Sequence, residues 1–148
     1  MTTEICTRTE IDPRGPRFGG TITTIVLAIA LVTVGTPLSD VLVVWQAIVF
    51  GLGAIVGLHA QPYGILYRKV VGPRLAPPQL LEDAAPPRFA QAVGLIFMIV
   101  ALISIALGST LIAAIAIGFA LAAAFLNAAF NFCLGCEMYL LGARLRHR

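Results

Sequence analysis

The sequence predicts an all-α membrane protein, a bundle of four transmembrane helices formed from two parallel helical-hairpin repeats. Of its 148 residues, 59% are hydrophobic and only 11% are charged, whereas a water-soluble domain carries about 25% charged residues. The charged residues are also segregated, because the segments 18–39, 41–67 and 89–136 contain none. The core of a water-soluble protein does not account for uncharged segments of this length.

The lengths of these segments set the number of spans, because a helix needs about 20 apolar residues to cross the hydrocarbon core. The first two segments each accommodate one span, and the third accommodates two, divided near 108–110. A largely polar tail at 1–17 precedes the spans and lacks a signal-peptide pattern. One membrane domain at 18–148 is therefore predicted, with helices at about 18–35, 39–59, 89–107 and 111–133 and a proline-rich loop at about 68–88.

The basic residues predict the orientation of the chain. All 10 Lys and Arg residues lie in the tail, in the 68–88 loop or after the fourth helix, while the two short turns on the other side carry only Asp40. Basic loops stay in the cytoplasm, so both termini are expected there, with the lipid bilayer as a partner. Nucleic-acid binding is not expected, because the arginines are scattered at helix ends without a recognisable motif.

Short internal matches predict the two repeats. The shared motifs are Pro16-Arg17-Phe18 and Pro87-Arg88-Phe89 at the helix starts, and the segments 64–67 and 135–139, which match with one insertion. A repeat that contains two crossings keeps its orientation, so the two copies are expected to be parallel.

Small residues form two stripes that allow helices to approach closely in lipid. Gly53 and Gly57 form the first stripe, in the second helix. Alanines at every fourth position over 116–128 form the second stripe, in the fourth helix. Packing within one bundle and a homodimer interface both fit this pattern.

Cys133 and Cys136 form a CxxC pair at the predicted cytoplasmic end of the fourth helix. On a helix they would lie one turn apart on one face. Such a pair forms a small disulfide, exchanges with a partner thiol or ligates a metal. A permanent structural disulfide is not expected in a reducing compartment. Simple packing of two small apolar side chains is the alternative.

The predicted position at a helix C-terminus, beside Glu137, disfavours the thiolate form of this pair. Arg17 and Arg88 begin the first and third helices at the same side of the membrane. They are therefore the candidate thiolate stabilisers.

Asn127 and Asn131 lie one turn apart in the predicted fourth helix, next to the cysteines. With Glu137 they are candidates for the polar wall of a substrate site. Alternatively, the two amides make interhelical hydrogen bonds with Thr24, Gln46 or Gln91.

No cofactor is assigned by any motif, and two alternatives remain. Zinc would require Cys6 and His59 to join Cys133 and Cys136 as a four-ligand set, although the spacing matches no common zinc module. A membrane quinone is the second alternative cofactor. The spans contain no charged residue in their interior, which argues against a proton pump or an ion channel.

Four motifs stand out, namely Asp12-Pro13-Arg14-Gly15-Pro16-Arg17-Phe18, Pro86-Pro87-Arg88-Phe89-Ala90-Gln91, Leu126-Asn127-Ala128-Ala129-Phe130 and Cys133-Leu134-Gly135-Cys136-Glu137. They resemble the shared motifs of an uncharacterised family of bacterial membrane proteins, domain of unknown function 4395. The resemblance covers nearly the whole chain, from about residue 11 to 145. The resemblance implies a multi-pass protein of the bacterial inner membrane, found especially in actinobacteria. It also implies gene neighbours that encode thioredoxin-like proteins and sulfurtransferases.

The leading functional hypothesis is a thiol protein in which Cys133 and Cys136 exchange disulfides or sulfane sulfur with a soluble thioredoxin-like or sulfurtransferase partner. Accessibility slightly favours Cys136 as the attacking residue. The alternative is a non-enzymatic membrane subunit, or a transporter of a small sulfur species, in which the cysteines bind metal or only pack.

Overall fold

Four long helices dominate the computed structural model, which describes residues 9–148. They are α1 (Arg14–Val32), α2 (Pro37–Gly51), α4 (Ala85–Ala106) and α5 (Thr110–Phe130), and α2 continues as a π-helical turn over Leu52–Val56. Each of the four is long and apolar enough to cross a membrane. The predicted four-helix membrane fold is confirmed.

Shorter elements gather at one end of the bundle. They are β1 (Glu10–Ile11), β2 (Glu82–Asp83), α3 (Pro62–Leu66) and α6 (Leu134–Arg146), and α3 continues as a π-helical turn over Tyr67–Val71 and a 3-10 turn over Gly72–Arg74. β1 and β2 pair antiparallel, and we call this end of the bundle the strand end. The hydropathy pattern predicts neither α3 nor α6.

The first and third spans begin four residues earlier than the hydropathy pattern suggests, at Arg14 and Ala85. Hydropathy marks only the part of a helix inside the hydrocarbon, whereas the helix itself continues into the polar interface. Prolines fit in the first turns of both helices because the N–H groups there have no intrahelical acceptor. Part of the predicted tail and part of the predicted loop are therefore helical.

The outer surface of the bundle is apolar, as a lipid-facing surface must be. Val32 is 86% exposed, Val41 65% and Phe119 62%, and a water-soluble monomer rarely exposes so many large apolar side chains together. The chain is thus a multi-pass membrane protein. Inside the bundle, Ala120 belongs to the buried core and Gly53 packs against the side chain of Gln91. These members of the small-residue stripes serve packing within one chain, and a homodimer stays a prediction.

The arrangement of the helices follows the predicted repeat. Helix α1 packs against α2 and α5, and α4 packs against the same two helices, so α1 and α4 lie diagonally opposite each other. Helix α3 packs back on α1, as α6 packs back on α4. The two units α1–α2–α3 and α4–α5–α6 are therefore equivalent and parallel.

Matching side-chain contacts show the same relation. The rings of Phe18 and Tyr67 lie 5.7 Å apart in the first repeat, and those of Phe89 and Tyr139 lie 5.8 Å apart in the second. The strands that precede α1 and α4 also pair with each other, Ile11 of β1 opposite Glu82 of β2. The prediction of two parallel hairpin repeats is confirmed.

Two arginines connect the repeats at the strand end. Arg17 donates from Nε to the carbonyl oxygen of Ala128 in α5, at 3.2 Å. Arg88 donates from Nε to Ala54, at 2.7 Å, and from Nη2 to Ile55, at 2.6 Å. Each arginine thus satisfies carbonyl groups near the end of the other repeat's second helix, groups that have no intrahelical donor there.

A chain of hydrogen bonds satisfies the polar groups inside the bundle. Trp45 Nε1 donates to the hydroxyl of Tyr63, which donates to Oε1 of Gln46 at 3.1 Å. Gln46 is fully buried, and its Nε2 donates to Oγ1 of Thr23. Gln46 therefore has other partners than the asparagines of α5, as expected of a buried amide that must be fully paired.

Candidate functional site

Helix α5 ends at Phe130, so the prediction that the fourth helix reaches residue 133 is wrong. Asn131 takes the left-handed conformation, with φ 53° and ψ 31°, which asparagine tolerates better than most residues. The N–H of Phe132 then donates to the carbonyl oxygen of Leu126, at 3.2 Å. This left-handed residue stops the helix and redirects the chain.

Cys133 is the N-cap of the next helix, α6. Its Sγ accepts a hydrogen bond from the backbone N–H of Cys136, at 3.3 Å. The two cysteines are joined by a disulfide, with their Cα atoms 5.1 Å apart. That the disulfide is not permanent stays a prediction.

The cysteines therefore lie at a helix N-terminus, and the prediction of a helix C-terminus is wrong. The consequence for their chemistry is reversed. The N-terminus of a helix carries a partial positive charge and unpaired N–H groups, both of which favour a thiolate. The electrostatic objection raised by the sequence is removed, although Glu137 lies in the first turn of α6.

Gly135 seats the start of α6 against α4. It is buried, and a Cβ atom built on it would lie 2.6 Å from both Cα and Cβ of Ala90. The backbone of α6 thus touches α4 between the two cysteines, as only a glycine permits. Phe89, the neighbour of Ala90 in α4, is the ring partner of Tyr139 in α6.

A cavity of about 560 Å³ lies beside the disulfide. It brings together five of the candidate residues, which come from the end of α5 and the start of α6: Asn127, Asn131, Cys133, Cys136 and Glu137. Both cysteines are half-buried, while Asn131 and Glu137 are exposed. The mouth of this cavity, which we call the cysteine cavity, is therefore polar and open at the strand end. The roles of these residues stay predictions.

The cysteine cavity continues into the middle of the bundle. Its deeper lining includes Thr23, Phe50, Gly94, Phe97 and Phe119. Seven helical positions separate Ala90 near the mouth from Phe97, which is about 10 Å along the axis of α4. The cavity thus joins the polar disulfide region to an apolar, aromatic interior.

Asn127 contributes to the wall and to packing at once. Its Nδ2 donates to the carbonyl oxygen of Pro16 in α1, at 3.4 Å. A Cβ atom on Gly20 would lie 2.9 Å from the same nitrogen. The predicted interhelical hydrogen bond of Asn127 exists, but its acceptor is a backbone carbonyl and not Thr24, Gln46 or Gln91.

Arg17 and Arg88 do not line the cysteine cavity. Their guanidinium groups bond the carbonyl oxygens that join the repeats. The N-terminus of α6 supplies positive potential at the cysteines without them. A direct role of either arginine at the thiolate stays a prediction.

His59 lines a second cavity, of about 750 Å³, formed around α3 and the start of α1. Near it, the carboxylate of Asp12 accepts hydrogen bonds from Nε of Arg14, at 3.1 Å, and from the hydroxyl of Tyr67, at 3.0 Å. Partial burial opposes ionisation of Asp12, but these bonds outweigh it and lower its pKa. Burial, followed by the bond to Asp12, raises the pKa of Tyr67.

The four proposed zinc ligands are only partly placed by the structure. His59 lines the second cavity and both cysteines line the other, while Cys6 lies outside the described residues. Within residues 9–148, no three His, Cys, Asp or Glu side chains form a group that could hold a metal ion. Zinc binding by the four residues stays a prediction.

The family of the chain is decided by its match to one family model. Residues 11–144 match the domain of unknown function DUF4395. The chain belongs to this family. The match extends from the end of β1 through nearly all of α6, so the disulfide and the whole lining of the cysteine cavity lie inside the family domain. No curated protein and no solved structure matches the chain.

Sequence reasoning did not identify the deeper residues of the cysteine cavity in this DUF4395 domain, such as Phe97 and Phe119. Nothing in a run of apolar residues distinguishes a cavity wall from a lipid-facing surface. The end of α5 before the cysteines, in contrast, could have been predicted from the sequence. Asn131 and Gly57 end the second helices of the two repeats with positive φ values, and aligning the repeats through these helices would have predicted the break.

Proposed function

We propose that this membrane protein exchanges disulfides, or sulfane sulfur, with a soluble thioredoxin-like or sulfurtransferase partner through Cys133 and Cys136. The observation that carries the proposal is the disulfide at the N-terminus of α6, half-buried in the wall of a cavity that opens at the strand end. A redox pair needs this combination of a stabilised thiolate and access for a partner.

The strand end faces the cytoplasm in this proposal. All described basic residues belong to elements at this end, whereas the opposite turns between α1 and α2 and between α4 and α5 have none. The positive-inside rule then assigns the strand end, with α6, to the cytoplasm of a bacterial inner membrane. A soluble partner would reach the cysteines there.

Cys133 is the attacking residue in this proposal, and Cys136 resolves. The two cysteines are both half-buried, so exposure does not separate them. The hydrogen bond between them distinguishes the two cysteines, because the N–H of Cys136 donates to the sulfur of Cys133 and would stabilise the Cys133 thiolate. The thiolate, not the thiol, is the nucleophile.

Reduction of the pair takes two steps. A partner thiolate attacks Sγ of Cys133, so a partner–Cys133 bond forms while the Cys133–Cys136 bond breaks and Cys136 leaves as a thiolate. The partner's second thiolate then attacks the partner sulfur of this mixed disulfide and expels Cys133 as a thiolate. Two electrons and two protons pass from the partner's dithiol to the pair.

Sulfane sulfur would follow the same geometry. The Cys133 thiolate would attack the outer sulfur of a partner persulfide, forming a persulfide on Cys133 while the partner leaves as a thiolate. No outside oxidant is needed, because one sulfur–sulfur bond replaces another. The N–H of Cys136, which bonds the sulfur of Cys133 in the disulfide, would stabilise negative charge at Cys133 in this step as well.

Trapping of the mixed disulfide tests the proposal. Cys133→Ser and Cys136→Ser would be expressed separately, each with Cys6→Ser so that the third cysteine cannot react. Cells would be acid-quenched, free thiols alkylated and adducts resolved on a non-reducing gel. Cys136→Ser lacks the resolver and should accumulate a covalent partner, whereas Cys133→Ser should not.

Other outcomes point elsewhere. Bound zinc in the parent that is lost from both serine variants, without any adduct, would favour metal binding. Two serine variants that form no adduct, bind no metal and retain the parent's activity in cells would refute a chemical role of the pair. The protein would then be a subunit or transporter in which the cysteines only pack.

A further inference from the structure

The cysteine cavity is more than an entrance for a partner, because much of it lies deeper than the disulfide. The lining passes from Cys133 and Cys136 to the rings of Phe97 and Phe119, which stack with their centroids 5.9 Å apart. Phe119 is 62% exposed, so the deep end of the cavity borders the lipid-facing surface between α4 and α5. A soluble protein partner has no use for an apolar extension of this kind.

Amide groups line the passage between the polar and apolar parts. Gln91 lines the cavity, and its Oε1 accepts a hydrogen bond from Nε2 of Gln61, at 2.8 Å. Its own NH₂ group donates to no residue in the described part of the chain. Asn127 donates only one long bond, to Pro16 at 3.4 Å. An amide NH₂ carries two N–H donors, so donors remain for a ligand with acceptor oxygens.

We propose that the cysteine cavity binds a membrane quinone, with its ring beside the disulfide and its apolar tail leaving between α4 and α5. This inference rests on the proposed thiol exchange and supplies the electron acceptor for it. The dithiol form of the pair gives two electrons and two protons to the quinone. The Cys133–Cys136 bond forms, and the two carbonyl oxygens of the quinone become the hydroxyls of a quinol.

The chemistry of the lining selects this class of ligand. A quinone presents two carbonyl acceptors for the amide donors beside the disulfide, and an apolar tail for the aromatic side chains and the lipid at the deep end of the cavity. The volume of about 560 Å³ lies within the range of roughly 300–1,000 Å³ that small-molecule sites occupy. A lipid acyl chain would fill the apolar part only, leave the amides of Gln91 and Asn127 unpaired and accept no electrons.

Reconstitution in quinone-free nanodiscs of phosphatidylcholine tests the inference. The pair would first be reduced by a soluble thioredoxin, and the reduced protein would be separated from it. A short-chain ubiquinone would then be added, with quinol followed by absorbance and free thiols by alkylation and gel shift. One quinol should appear for each disulfide formed.

Two neighbouring residues of α5 offer a matched pair of variants. Ala123 lines the cavity, whereas Ala122 is exposed on the lipid-facing surface. Ala123→Phe should fill the cavity and slow quinone reduction by about tenfold or more, while Ala122→Phe should retain the parent's rate. Equal rates for the two variants would overturn the inference.

A quinone that carries a photoreactive group on its apolar tail gives a second measurement that requires no variant. The label should attach to α4 between Val93 and Phe97 or to α5 between Phe119 and Asn127. Labelling confined to other segments would overturn the inference. Reduction of the disulfide by thioredoxin without any later quinol formation would overturn it too, while leaving thiol exchange intact. Failure of the thioredoxin step itself would instead refute the disulfide exchange in the proposed function.

Discussion

A single methyl group at Gly135 should separate the start of α6 from α4. The Cβ atom of Gly135→Ala would lie 2.6 Å from Cα and Cβ of Ala90, whereas carbon atoms in contact keep about 3.5–4.0 Å between them. Ala90 offers backbone and a rigid methyl group there, neither of which can turn aside. Helix α6 must therefore retreat by about 1 Å, together with the disulfide it carries.

The cost follows from this overlap. Overpacking of a close contact destabilises a protein by about 1–3 kcal/mol. Gly142 is the matched control, because it lies in the same helix and an added Cβ atom there has no neighbour within 4 Å. Gly142→Ala should gain up to about 1 kcal/mol from helix propensity. The two variants should thus differ by about 1–4 kcal/mol in the free energy of unfolding.

Unfolding in mixed micelles by titration with a denaturing detergent measures this difference, with the fluorescence of Trp45 as the signal. If Gly135→Ala proves as stable as Gly142→Ala, α6 does not pack on α4 at this point. The cysteine cavity would then lack the mouth that Gly135 and Ala90 form where they touch.

Two further predictions concern the conformation and the charges of the strand end. Asn131→Gly should keep the parent's stability, whereas Asn131→Ala should lose about 1–2 kcal/mol because an alanine resists the left-handed conformation; equal stability in the same titration would contradict the assigned break. The pKa of Asp12 is lowered from its ordinary value of 3.8 in the folded protein, so its stabilising effect is complete above that value and is lost as the pH falls through the folded pKa. The difference in unfolding free energy between the parent and Asp12→Asn should therefore shrink towards pH 3, and a difference that stays constant would contradict the assigned hydrogen bonds.

The spans and the repeat could be predicted because each has a direct expression in the sequence. Lipid excludes charge, so uncharged segments such as 18–39 mark the spans. The repeat keeps Phe18 and Phe89 at matching positions because each packs on a tyrosine of its own repeat. Local chemistry was sufficient for both predictions.

The end of α5 could not be read from hydropathy. The apolar pattern continues through Phe132 and Cys133, and hydropathy reports the surroundings of a residue, not its backbone conformation. The break depends on the left-handed Asn131 and on Arg17, which bonds the carbonyl oxygen of Ala128 from the other repeat. Local composition does not reveal such a contact between distant residues. The cysteines were therefore predicted at a helix C-terminus, whereas they lie at the N-terminus of α6.

The crossed bonds of Arg17 and Arg88 also determine how the two halves of the molecule are held together. The guanidinium group of each half bonds a backbone carbonyl oxygen of the other half. The exposed segment 75–80 that links the halves has neither helix nor strand. The two halves are thus held together chiefly by contacts between their helices, while the linking segment makes one hydrogen bond back to α1, from Nη2 of Arg14 to the carbonyl oxygen of Ala76 at 3.0 Å. Reciprocal hydrogen bonds of this kind would equally join two identical hairpins that associated as separate chains.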